Sequence, residues 1–168
     1  LLLEVPMVPI ARLMFSGVES MLETHQYLIS SFGLRYFDDF IEISMGDMEG
    51  MGHEKFKELY PVQLKNFFFN QIEYDPREYN GESFLEVRER VIKGLNKFVE
   101  LNKNYERVLV VSHGATLKTL LHYISGKDIS TLSDEEIPKN TSYTIVEYKD
   151  GKFEITDFSN TSHLDEIK

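Results

Sequence analysis

One stretch, "VLVVSHGATLKTLLHYISG" at residues 108–126, limits the possible folds more than any other part of the chain. Val108, Leu109, Val110 and Val111 form a short apolar run that stops at a polar residue. Such runs read as strands covered on both faces, the kind found in parallel sheets. Apolar residues then recur at helical spacing, so a helix is expected from residue 115 onward. A strand, a tight turn and a helix make half of a parallel crossover unit. In open sheets of this type ligands gather at the carboxyl ends of the strands. His113 stands at that end, Gly114 lets backbone approach a ligand closely, and the helix N-terminus favours anions. A histidine at a strand end can also simply cap or pack, so His113 alone decides nothing.

The rest of the chain supplies partners for that unit. Leu13 to Phe15 read as a strand ending at Ser16-Gly17. Val18, Met21, Leu22, Leu28 and Ile29 predict an amphipathic helix over 18–31. "RYFDDFIEISMGDMEGMG" reads as an irregular surface loop, followed by a helix from His53 to Tyr60 that stops before Pro61. "LKNFFFNQIEYDPREYNGES" mixes aromatics with turn formers, and Phe67 to Phe69 read either as core or as part of a lid. From Ser83 to Leu101 a strong helix places Phe84, Val87, Val91, Leu95 and Phe98 on one face. Ser83 followed by Glu86 predicts a capping box at its start. Asp150-Gly151 between two alternating runs predicts a hairpin. The fold class expected is α/β, with a mixed, mostly parallel sheet sandwiched between helices in three layers. No repeat or linker divides the chain, so residues 1–168 read as a single domain.

Composition narrows the partners. The net charge of −10 and pI near 5.0 argue against nucleic acid, which needs a basic face. There is no cysteine, which excludes disulfides and thiolate metal sites and fits a cytoplasmic setting. No apolar run approaches the ~20 residues that span a bilayer, so no membrane partner is expected. Chemistry is concentrated in three clusters: Ser112-His113-Gly114; Glu42 with Gly46, Glu49 and Gly50; and Gly81-Glu82-Ser83.

Four ordered segments, "EISMGDMEGMGHEKFKELYP", "NGESFLEVRERV", "VLVVSHGATLKTLLHYISG" and "NTSYTIVEY", together resemble the histidine phosphatase superfamily, also called phosphoglycerate mutase-like. The resemblance runs from about Leu13 to Leu164. It implies the three-layer fold above, no metal and no cofactor, and a small phosphorylated molecule as substrate. A homodimer is compatible with it. It also implies a mechanism in which a nucleophilic histidine takes the phosphoryl group and a carboxylic acid protonates the leaving oxygen. Arginines and a second histidine then hold the phosphoryl oxygens. By position Glu42 matches the proton donor and His113 the second histidine. Gly114, Glu82, Ser83 and Ser20 fall at substrate-binding positions. Glu42 could otherwise be a solvated loop carboxylate.

Two departures qualify the match. The family's Arg-His-Gly strand end is absent, since the only histidine followed by glycine is His113, preceded by serine. A family arginine in an R-x-x-x-T pattern aligns with Ser20, four residues before Thr24. The opening "LEVPMVPIARLMFSG" resembles the tail of a helix and the strand after it, as though the first strand and phosphate loop were missing. Two functions follow as expectations. One is hydrolysis of a small phosphomonoester, favoured over a mutase reaction because Leu64 to Asn80 is short, aromatic and poor in basic residues. The other is an inactive member serving as a binding or regulatory domain; on either reading the chain as written is expected to lack turnover. A plain scaffold is disfavoured because Glu42 and His113 both remain in their motifs.

Overall fold

The computed structural model describes residues 37–167. The strand expected at Leu13 to Phe15, the helix over 18–31 and Ser20 lie outside the described residues. Within them, four helices and one hairpin follow in order: α1 (His53–Leu59), α2 (Pro61–Phe69), α3 (Phe84–Asn102), α4 (Gly114–Ile124), β1 (Tyr143–Lys149) and β2 (Lys152–Asn160). Short 3-10 segments occur outside these helices, among them Asp38–Phe40, Gly46–Met48 and the longer Ile129–Asp134.

The helix α3 forms as its apolar spacing predicts. Phe84, Val87, Val91 and Leu95 are buried, each at 6% exposure or less, and burying each contributes about 1.5–3 kcal/mol. Ser83 caps it: the Glu86 amide donates to Ser83 Oγ, and the Ser83 amide donates to the Glu86 carboxylate. α4 lies against α3 and also touches β2, and its Ala115 and Leu120 join the same core as Phe84, Val87, Val91 and Leu95.

α2 differs from the irregular reading of that region. Pro61 ends α1 but also occupies the first position of α2, where a missing N–H costs nothing. At the other end Gln71 Nε2 donates to the Phe67 and Phe68 carbonyls, satisfying acceptors that the helix leaves open. The three phenylalanines cannot all face the core, because consecutive helical residues point about 100° apart. Phe67 packs edge-on against Tyr74 and at a tilt against Phe84, whereas Phe69 is 73% exposed.

The hairpin has the predicted two-residue turn, with Lys149 opposite Lys152. Asp150 and Gly151 both hold left-handed backbone, φ 52° and 78°, as a primed turn requires. It is the only sheet among the described residues, two antiparallel strands. The run Val108 to Val111, expected as a buried strand, makes no ladder with any described residue. Val108, Leu109 and Val111 are 45%, 70% and 56% exposed. A strand exists only by pairing, and this run finds no pairing partner among the described elements. Helices with a hairpin bear out the α/β class. No described helix is long and apolar enough to cross a membrane.

Candidate active site

The loop from Asp39 to Ser44 and the turn from Ser112 to Thr116 are stitched together although they lie 72 to 75 positions apart. Ser112 Oγ donates to the Phe40 carbonyl at 2.7 Å, and Thr116 Oγ1 donates to the Ile41 carbonyl at 2.6 Å. Ser112 and Thr116 are both buried, so each pairing satisfies a carbonyl that would otherwise be costly. The next residue in the loop is Glu42. Its Oε1 accepts from the Thr116 amide at 3.0 Å and from the Ile43 amide at 3.0 Å, and its Oε2 accepts from the Ala115 amide at 3.3 Å. A carboxylate thus sits on the first turn of α4, the place where helix amides and dipole favour negative charge.

His113 is the N-cap of α4, extended in backbone and exposed in side chain. The Gly114 amide has no acceptor among the described residues, which leaves one first-turn donor beside His113 open. A Cβ placed on Gly114 would come within 3.9 Å of Glu42 Oε2 and 3.4 Å of Ile137 Cγ2. Gly114 is therefore flanked by the Glu42 carboxylate on one side and an apolar side chain on the other.

Gly46 anchors the far side of the Glu42 loop. Its φ of +54° suits glycine, and a Cβ there would lie 2.1 Å from the Tyr79 carbonyl oxygen. That contact seats the loop against the turn before Gly81. The two substrate-binding candidates of that turn have committed polar atoms. Glu82 forms an ion pair with Arg90, and Ser83 Oγ serves the capping box with Glu86. These bonds hold the Glu86 carboxyl below its ordinary range.

The three clusters read from the sequence therefore meet on described elements: Glu42 lies on the first turn behind His113, and Glu82 bonds to Ser44. Thr116, Asp39 and Arg90 were not singled out from the sequence. Arg90 lies eight residues after Glu82 in "NGESFLEVRERV", and opposite charges within that one segment are the available signal. Among the described residues no group of three or more His, Cys, Asp or Glu is placed to hold a metal ion.

Known proteins share the sequence pattern and the fold. The sequence pattern of the histidine phosphatase superfamily (branch 1) matches residues 4–161. The chain is 33% identical over 127 residues to the uncharacterized phosphatase PhoE of Bacillus subtilis, covering 76% of this chain and 58% of that protein. It is 29% identical over 129 residues to the metal-independent phosphoserine phosphatase of Arabidopsis thaliana, covering 77% of this chain and 51% of that one. The chain thus spans between half and three-fifths of the length of these two relatives. Among solved structures it superposes on Bacillus stearothermophilus YhfR with a TM-score of 0.72 and 27% identity, covering 85% of this chain and 70% of that one. A mycobacterial glucosyl-3-phosphoglycerate phosphatase with inorganic phosphate shares the fold, with a TM-score of 0.69 and 16% identity, covering 84% and 73% of the two chains. The chain belongs to the histidine phosphatase superfamily (branch 1).

Proposed function

We propose that these residues carry the proton donor and a phosphate-binding histidine of a phosphomonoesterase that works through a phosphohistidine. The observation that supports this most is the Glu42 carboxylate on the first turn of the helix that His113 caps. In the proposed cycle an imidazole nitrogen of a nucleophilic histidine, other than His113, attacks phosphorus. The bond from phosphorus to the substrate oxygen breaks, and that oxygen takes the proton of the Glu42 carboxyl. Water then attacks the phosphohistidine and gives its proton to the Glu42 carboxylate. The phosphorus–nitrogen bond breaks, and phosphate leaves as the histidine is restored. The His113 ring and the Gly114 amide offer donors to phosphoryl oxygens throughout. The cycle balances without a metal or cofactor.

The substrate class we favour is a small phosphomonoester with a weakly charged leaving group, in keeping with the aromatic segment from Leu64 to Asn80. Gly81 to Ser83 form the rim, and Ser20 takes the place of a family arginine. A three-layer, mostly parallel sheet and a cytoplasmic setting complete the reading. A second reading, a binding or regulatory domain without turnover, is favoured by Ser20, which stands where the family pattern has an arginine.

The test uses 4-nitrophenyl phosphate and acid-quench detection of phosphohistidine. Residues 1–168 as written are expected to show no turnover. A form carrying an Arg-His-Gly strand end is expected to hydrolyse the ester without added metal. If that form is also inert but binds phosphate, the second reading prevails. Turnover by residues 1–168 with the acid-labile phosphoryl group located on His113, and lost in His113→Ala, would make His113 the nucleophile.

A further inference from the structure

We propose that Glu82 and Arg90 are positioning residues, a two-ended clamp that sets where Glu42 stands; this rests on Glu42 being the proton donor. Glu42 lies inside the segment from Asp39 to Ser44, and the clamp holds both ends of it. At one end Arg90 Nη1 donates to the Asp39 carbonyl at 2.9 Å. At the other the Ser44 amide donates to Glu82 Oε2 at 3.3 Å, and the Glu82 amide donates to the Ser44 carbonyl at 2.8 Å. Between these ends the Arg90 fork closes on the Glu82 carboxylate, Nε to Oε1 at 2.5 Å and Nη2 to Oε2 at 2.9 Å.

The helix surface beneath is shaped for the same seat. One turn after Arg90, a Cβ on Gly94 would lie 2.4 Å from Asp39 Cβ, so the loop rests directly on α3 backbone. The opposite side of the segment is tied to α4 through Ser112 and Thr116. Neither Glu82 nor Arg90 has a hydrogen bond to Glu42, so their influence passes through the loop. A planar guanidinium can serve a carboxylate with two donors and a carbonyl with a third; an ammonium lacks that fork. An acid that must reach a departing oxygen gains from being held within about 0.5 Å of its working place. An ion pair whose two side chains are each 18% exposed is weak evidence for stability by itself, which leaves placement as its fitting role.

The experiment is amide hydrogen exchange by NMR on residues 1–168, in Arg90→Met, Arg90→Lys and Glu82→Gln. Thr116 and Ile43 report on Glu42, because their amides donate to it; Leu95 reports on α3. Each variant is expected to exchange at least tenfold faster at Thr116 and Ile43, with Leu95 within twofold of the parent. In a form with turnover, Arg90→Met should lower kcat at least tenfold while KM stays within twofold. Unchanged exchange at Thr116 and Ile43 in the folded variants overturns the clamp. So does uniform acceleration that includes Leu95, which marks a merely structural pair, and so does full recovery in Arg90→Lys, which shows that charge alone suffices. Loss of the phosphatase reading with the exchange result intact would overturn only the role of Glu42.

Discussion

At the scale of single residues, Glu42 carries two tasks that one substitution separates. It accepts three backbone N–H bonds at the loop and helix N-terminus, and it is the proposed acid. Gln keeps the shape and one acceptor oxygen but has no proton to give at the leaving group. In a form with turnover, Glu42→Gln should lower hydrolysis of an alkyl phosphate by about 10²–10⁴-fold, the range of general acid catalysis. Formation of the phosphohistidine from 4-nitrophenyl phosphate should slow much less, because that leaving oxygen departs without needing a proton, whereas the water step that follows is common to both esters. The fold should lose only about 1 kcal/mol, as an amide group turns one donor toward other donors. Equal losses on the two esters in the rate of phosphohistidine formation, read by rapid acid quench, would remove Glu42 from the acid's role and leave it as a helix cap.

At the scale of elements, Ser83 shows how local chemistry fixes a boundary. Replacing it with Ala should destabilise the protein by about 1 kcal/mol, the usual value of an N-cap, measured by urea unfolding at pH 7. The pH dependence follows from Glu86, whose carboxyl the Ser83 bonds hold below its ordinary value of 4.5. A depressed folded value gives stability that is present above pH 4.5 and lost as pH falls through that lower value. The gap between parent and Ser83→Ala should therefore narrow in acid. A gap that widens below pH 4.5 would contradict the capping box. This helix and the hairpin were legible in the sequence because their signals are local: a capping pair, an apolar stripe, and an Asp-Gly turn. α2 was not, because its C-terminal carbonyls are satisfied by Gln71, a partner beyond the helix end. The site was half legible. Motifs named Glu42 and His113, but the bonds from Ser112, Thr116 and Arg90 join segments distant in sequence, and no periodicity encodes such pairings.

At the scale of the whole molecule, the packing of α3, α4 and the turn Ile129–Asp134 encloses a histidine that the chemistry does not use. His122 is 2% exposed, its Nε2 lies 3.0 Å from Thr131 Oγ1, and its Nδ1 has no partner among the described residues. Burial lowers its pKa; Glu135 opposes that shift, while Lys127, Arg88 and Lys118 reinforce it. The folded protein thus keeps this ring neutral at pH values where the unfolded chain, with a value of 6.5, already binds a proton. Stability from the neutral ring is full above pH 6.5 and declines as pH falls toward the lower folded value. The slope cannot exceed about 1.4 kcal/mol per pH unit, since one proton is involved. His122→Leu removes that proton while retaining most of the apolar packing. Urea unfolding at pH 7.5, 6.5 and 5.5 should show the parent losing stability relative to His122→Leu across this window, whatever the cost of the substitution at pH 7.5. Parallel curves for the two proteins would mean that acid opens the molecule at some other group, and that His122 is protonated as readily folded as unfolded.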